Sequence, residues 1–379
     1  MPWKVRDTMS LRKEFVMLAG QEGANIAQLC RRFGISRKTG YKWLMRFSEL
    51  GSAGLADRSR RPARSPDRTQ REIEQAVIAL RDAHPAWGGR KLHARMVQQG
   101  RRDVPAPSTM TAILRRHGRL DESESAKHKA WIRFEHEAPN DLWQMDFKGH
   151  FAMAQGRCHP LTVLDDHSRF SLGLEACANE RTETVKECLS EIFRRYGLPE
   201  RMLMDNGSPW GDTPENRYTP FGVWLLRLGV TISHGKPYHP QTQGKDERFH
   251  RTLKAEVLRY ERFADLDGCQ RRFDEWRHVY NHERPHEALG MAVPTSRYQV
   301  SPRLFPEVLP PIEYGPGDWV RKVGDKGQIS FRGQVYTVPK AFKGYPVALR
   351  PTATDGVMDV VFCAHTISRI ELRSPPMGK

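Results

Sequence analysis

The chain has no long hydrophobic run: none of its apolar stretches approaches the ~20 residues that a membrane-spanning helix needs. Met1 to Ser10 is mixed and charged, without the apolar segment of a secretory leader. These absences predict a soluble, cytoplasmic protein with no membrane partner. Cysteine is sparse as well. Cys30, Cys158, Cys177, Cys188, Cys269 and Cys363 stand singly, with no CxxC pair and no Cys/His group at zinc-finger spacing. A disulfide framework and a structural zinc site therefore have no support, and reduced structural cysteines are expected. An acidic excess is missing too: the formal net charge is +16 over 379 residues.

The charge is segregated. Residues 1–140 carry a net +13, residues 141–310 a net −1, and residues 311–379 a net +4. A near-neutral middle between basic flanks suits a chemical core flanked by modules that grip a polyanion. The length predicts two to four domains.

The first flank reads as helical. Leu11 to Ala19 and Ala24 to Phe33 have helical spacing. Gly34-Ile35 then leads to Ser36, an N-cap for a helix over Arg37 to Phe47. Helix, glycine turn and capped helix make a helix-turn-helix pattern. Its second helix presents Arg37, Lys38, Tyr41 and Lys42 to a major groove, and an ordinary helical hairpin with a basic face is the plainer alternative. Gly51 to Pro66 reads as a flexible basic linker, with Arg58, Arg60, Arg61 and Arg64 available to a phosphate backbone or acting only as a tether. Helices over Arg71 to Ala83, Arg90 to Gln99 and from a Ser108 cap through Arg116 repeat the plan, with Thr109, Thr111 and Arg115 available for DNA.

After a polar linker over Leu120 to Asn140, the middle segment opens with strand signals at Leu142 to His150, His159 to Leu164 and Phe170 to Ala176. Helices over Thr182 to Tyr196, Phe221 to Leu228, Asp246 to Glu261 and Gln270 to Tyr280 alternate with short strands at Met202 to Met204 and Val230 to Ser233. Meandering strands followed by alternating elements predict an α/β core with a mixed sheet. From Pro316, short apolar runs broken by Gly, Pro and Asp predict a small all-β barrel. Its Lys322, Lys326, Arg332, Lys340 and Lys343 suit DNA, although packing or oligomerisation would explain the unit equally.

Three acids in the middle segment carry the chemistry. Asp146 lies inside a strand, Asp205 ends one ahead of Asn206-Gly207, and Glu247 opens a helix. Carboxylates on three elements can converge on one point, and oxygen-only ligation suits Mg²⁺ or Mn²⁺. Asp246, beside Glu247, should project about 100° away from it. Asp165 and Asp166 read as residues of a hairpin turn, with a place near the metal as the alternative, and His250 as a surface histidine.

The middle segment resembles the integrase-type catalytic domain of bacterial insertion-sequence transposases, relatives of retroviral integrases. The matching residues are Trp143-Gln144-Met145-Asp146, Leu164-Asp165-Asp166-His167-Ser168-Arg169, Asp205-Asn206-Gly207, and Pro240 through Glu247, followed by Lys254 and then Tyr280-Asn281, Arg284-Pro285-His286 and Leu289. The resemblance implies a ribonuclease-H-like fold, with Asp146, Asp205 and Glu247 as a DDE triad holding two Mg²⁺ or Mn²⁺ ions. It further implies cleavage and joining of DNA 3′ ends. Lys254 is then a candidate to grip DNA, and Lys236 and Tyr238 a loop over the DNA end. The Asp205-to-Glu247 interval of 42 positions is longer than in the most compact members.

The expected plan is thus a multidomain chain. It has all-α helix-turn-helix domains at 1–50 and 67–119, linkers at 51–66 and 120–140, an α/β ribonuclease-H-like core at 141–300, and a small all-β domain at 316–373. The expected partners are double-stranded DNA, both element ends and target, and further copies of the chain, as a dimer or larger assembly in a bacterial nucleoid. A catalytically silent DNA-binding regulator and a metal-dependent nuclease without strand transfer are the alternatives.

Overall fold

The computed structural model describes residues 8–58, 69–120, 135–205, 207, 210–211, 218–234 and 244–372. The chain divides into two compact units, Met1–Arg68 and Thr69–Lys379.

The first unit is a three-helix module of α1 (Thr8–Ala19), α2 (Ile26–Arg32) and α3 (Arg37–Leu50). Asn25 caps α2 by accepting from the Gln28 N–H at 3.1 Å. Ser36 caps α3 by accepting from the Thr39 N–H at 3.1 Å, as its position in sequence predicts. The core is Phe15, Val16, Cys30, Trp43 and Leu55. Gly40 lets α3 approach α1 and α2, because a Cβ there would lie 2.6 Å from Cys30 Sγ and 2.9 Å from Phe15 Cζ. The expected linker starts later than predicted. Gly51–Leu55 forms a 3-10 turn. Leu55 is fully buried, and its carbonyl accepts from Arg12 at 2.8 Å.

The second unit opens with α4 (Arg71–Ala83), α5 (Gly89–Gln98) and α6 (Pro107–Arg116) around Val77, Trp87, Leu92, Met96, Met110, Ile113 and Leu114. Ser108 is not the cap of α6. Pro107 takes the first helical position and Ala106 precedes it, since proline lacks the N–H that a cap would satisfy.

The α/β core follows. Strands β1 (Trp143–Phe147), β3 (Arg157–Asp165) and β4 (Ser171–Cys177) form an antiparallel meander, and β2 (Phe151–Ala152) pairs with the start of β3. Strands β5 (Arg201–Met204) and β6 (Thr231–His234) extend the sheet in parallel beside β1, giving the predicted mixed sheet. Helices α7 (Thr182–Tyr196) and α8 (Pro220–Arg227) share a core with Trp143, Met145, Leu161 and Met202 on one face. Helices α9 (Gly244–Leu253) and α10 (Leu266–His282) cover Cys158, Leu164 and Leu174 on the other. The predicted helix over Asp246 to Glu261 is shorter, passing into a π-helical turn at Lys254–Leu258.

Helix α10 also reaches the second helical module: Val279 packs against that module's core. Arg95 of α5 pairs with Glu283, and the Gln98 side chain donates to the Met291 carbonyl at 3.2 Å.

The C-terminal region is all-β but, among the described residues, not a closed barrel. It comprises a sheet in the order β12 (His365–Glu371), β11 (Val357–Phe362), β10 (Pro346–Pro351) and β7 (Trp319–Lys322), plus a separate hairpin of β8 (Gln328–Phe331) and β9 (Gln334–Thr337). Its core includes Val223 and Leu226 of α8, so this region packs on the α/β core. Four cysteines meet in pairs rather than standing apart, with Sγ–Sγ separations of 3.8 Å for Cys177 and Cys188 and 3.7 Å for Cys158 and Cys269. All six cysteines are free thiols.

Candidate active site

Strand register brings the first two acids together. Gln144 on β1 is aligned with Leu203 on the parallel strand β5. Asp146 and Asp205 each lie two residues further on, at the carboxyl ends of neighbouring parallel strands, where open α/β sheets bind ligands. Asp205 leaves the strand in a tight turn, its Oδ1 accepting from the Gly207 N–H at 3.0 Å. Its carbonyl is 2.9 Å from His234 Nδ1, at the end of β6.

Glu247 sits in the first turn of α9 with its side chain exposed. Burial, and then the charge of Asp205, push the Asp146 carboxyl up to about 7, with Glu180 and Glu247 adding to the same effect. Four carboxylates therefore share one field. Among the described residues, no group of three or more His, Cys, Asp or Glu stands close enough to hold a metal ion. The structure thus joins Asp146 to Asp205 and brings Glu247 within electrostatic reach, without closing a three-ligand cage. The donor set still fits a hard divalent cation: every member is a carboxylate, and a cation would relieve the repulsion that raises Asp146.

Several neighbours depart from expectation. Asp246 is 1 % exposed, and neither carboxylate oxygen has a hydrogen-bond partner. Burial, then the charges of Asp146 and Asp166, raise its pKa well above the carboxylate range. The 100° step from Glu247 turns it inward, so the helical wheel held the signal. His250 is not a surface histidine. Its Nε2 lies 2.9 Å from Thr162 Oγ1, whose hydroxyl donates to the Asp146 carbonyl at 2.9 Å. With that hydrogen committed, the ring donates from Nε2 and leaves Nδ1 bare, 4.0 Å from the Asp146 carboxylate. Burial, then the Lys148 charge, hold His250 neutral by pushing its pKa down to about 4. Glu180, from the loop after β4, pairs with His159 at 2.8 Å; no sequence pattern marked it.

Asp165 holds its turn, as predicted: it accepts from the Asn140 N–H at 2.8 Å and the Ser168 N–H at 2.7 Å. Asp166 does more than shape a turn. Its carboxylate accepts from the Gln144 amide at 2.6 Å and the His136 N–H at 2.9 Å, and it pairs with the Lys245 ammonium.

Of the residues expected to touch DNA, Arg37, Lys38, Tyr41 and Lys42 are exposed on α3, and Lys42 Nζ lies 4.3 Å from the Trp43 ring centroid. Arg58 and Lys254 are exposed. Arg60, Arg61, Arg64, Lys236 and Tyr238 lie outside the described residues. On α6, Thr109 and Arg115 are exposed, whereas the Thr111 hydroxyl donates to the Pro107 carbonyl at 2.9 Å and so turns inward.

Residues 136–240 and 228–294 match two family models described as integrase core domain. Residues 318–376 match the IS481 family transposase C-terminal domain, residues 11–63 a helix-turn-helix domain, and residues 39–114 a homeodomain-like domain. The chain is 24 % identical to the uncharacterized 39.2 kDa protein of insertion element IS476 from Xanthomonas euvesicatoria, over 72 % of this chain and 78 % of that one. It is 23 % identical to a putative transposase for insertion sequence element IS5376 from Geobacillus stearothermophilus, over 96 % of this chain and 88 % of that one. A simian T-cell lymphotropic virus intasome chain aligns over 78 % of this chain and 95 % of its own length, at 15 % identity and a TM-score of 0.39.

Proposed function

We propose that this chain, which carries an integrase core domain behind helix-turn-helix DNA-binding units and ahead of a transposase C-terminal domain, is a DNA transposase that binds the terminal inverted repeats of its own element, cuts the 3′ ends and joins them to target DNA. The carrying observation is the alignment of Asp146 and Asp205 at adjacent strand ends, with the Asp146 carboxyl pushed up to about 7. An acid held at that level binds a proton near neutrality unless a cation takes the proton's place.

Asp146, Asp205 and Glu247 would hold two Mg²⁺ or Mn²⁺ ions, and such ions activate a water or a 3′-hydroxyl and stabilise the departing oxygen. The chain's own residues do the rest. Exposed Arg37, Lys38, Tyr41 and Lys42 on α3 suit the major groove, with Arg58, Arg60, Arg61 and Arg64 beyond them on the phosphate backbone. Lys254, seven residues after Glu247, suits a phosphate next to the reacting bond, as do Lys236 and Tyr238 from the segment that precedes α9 in sequence. Two ends joined in one event call for two or more copies of the chain.

The test is an Mg²⁺-dependent joining assay with DNA flanking the gene. Covalent joining of one 3′ strand to a target plasmid supports the reading. Specific binding without cutting would leave a DNA-binding regulator, and cutting without joining a nuclease.

A further inference from the structure

Glu247 is the exposed member of its trio, so its position is inherited from the helix that carries it. Helix α9 is fastened to the sheet on both sides of Glu247. Two residues before it, Lys245 Nζ pairs with the Asp166 carboxylate and donates to the Asp166 carbonyl at 3.2 Å. Three residues after it, His250 donates to Thr162, directly across the β1–β3 ladder from Asp146.

The Asp166 end is the more heavily built. Asp166 is 1 % exposed. Its N–H donates to the Leu142 carbonyl at 2.9 Å, just before the strand that carries Asp146, and its carboxylate takes the Gln144 amide within that strand. Arg169, at a left-handed φ of 64°, donates to the Asp166 carbonyl and pairs with Glu135 at 3.2 Å. A turn alone needs none of this. The network converges on one side chain that touches β1 two residues before Asp146 and α9 two residues before Glu247.

We propose that Asp166–Lys245 and Thr162–His250 form a two-point clamp that sets the position of Glu247 against Asp146. These four are positioning residues, not metal ligands, and the proposal rests on the reading of Asp146, Asp205 and Glu247 as the metal-holding acids. A charged pair in a buried setting is costly to break, because loss of either partner leaves an uncompensated charge. A misplacement of about 1 Å at such a site costs up to about a hundredfold in rate.

The test uses the full chain with Lys245→Met, Lys245→Arg and Asp166→Asn. Binding of Mg²⁺ without DNA is read from the rise in melting temperature against Mg²⁺ concentration. Expected for Lys245→Met is joining reduced by about a hundredfold. The Mg²⁺ concentration at half-effect should rise by about tenfold. Affinity for the element end and its salt slope should stay at the wild-type level, and Lys245→Arg should recover most of the loss. Asp166 is fully buried and Lys245→Met leaves its charge unpaired, so joining is compared only among variants that fold. If neither single change folds, the double variant Lys245→Met with Asp166→Asn, which removes both charges, decides, with the same loss of joining expected. Wild-type joining and Mg²⁺ half-effect in Lys245→Met would overturn the clamp. So would a loss of joining accompanied by weaker, less salt-dependent DNA binding, which marks Lys245 as a phosphate contact. Failure of the underlying reading looks different: Asp146→Asn would join DNA normally, whatever Lys245→Met does.

Discussion

Asp146 lies directly across the β1–β3 ladder from Thr162, and the Thr162 hydroxyl closes the pair by donating to the Asp146 carbonyl at 2.9 Å. This fixes the backbone under the carboxylate, so a change confined to the carboxyl group tests chemistry rather than folding. Asp146→Asn, Asp205→Asn and Glu247→Gln should each reduce 3′-end cleavage and joining by about a thousandfold or more, and leave end binding intact in gel-shift assays. Normal joining by any of the three would remove that residue from the proposed metal site.

The two helical modules share a steric device. Gly40 meets Cys30 and Phe15, and Gly89 meets the Pro107 carbonyl at 2.4 Å and Thr111 Oγ1 at 2.5 Å from an added Cβ. Gly40→Ala and Gly89→Ala should each destabilise by about 2 kcal/mol through overpacking. Gly89→Ala should cost more, because a backbone carbonyl gives way less readily than a side chain. Chemical denaturation of each variant measures this, and equal wild-type midpoints would show that the helices re-space freely.

Lys91 of α5 is partly buried. Burial, then the positive charge of Arg284, push its pKa down to about 8. Below about 8 both the folded and unfolded chain hold the proton, and the cost of burying the charge is felt in full. Between about 8 and the ordinary 10.5 the unfolded chain holds more protons, so stability rises with pH across that window. Lys91→Met should therefore stabilise the chain by about 2 kcal/mol at pH 7, allowing for solvent screening. That gain should shrink as pH approaches 10.5. A gain independent of pH would assign it to packing instead.

Arg37 and Lys38 are exposed at the start of α3. If each neutralises one phosphate, Arg37→Ala with Lys38→Ala should lower the slope of log affinity against log salt by about 1.8. Ser36→Ala, at the cap, should instead cost about 1 kcal/mol of stability and leave that slope unchanged. A double variant with the wild-type slope would give this helix a structural role only.

Much of the architecture was legible because helical and strand periodicities are local signals. α4 and α7 begin and end where their amphipathic patterns do, and Ser36 caps α3 from a position that sequence alone identifies. Departures arise where a non-local partner intervenes. Gly51–Leu55 resembles a tether until Leu55 finds the core of the first module and Arg12 finds its carbonyl. Asp166 reads as a turn residue because its partners Gln144 and Lys245 are 22 and 79 positions away. Asp146 and Asp205 could be named from the strands that carry them. Their adjacency needed the register of β1 on β5, which no periodicity encodes. His250 reads as exposed because nothing in a single sequence announces Thr162 beneath it.

The Arg95–Glu283 ion pair and the Gln98–Met291 hydrogen bond fasten the second helical module to the end of α10, where Val279 completes its interior. A load placed on α5 reaches α10 through these contacts rather than through a linker. The second helical module and the α/β core are braced by two polar contacts and one apolar contact, so under the proposed function the spacing from this module to the acids of the core is set by those contacts rather than by a tether's length.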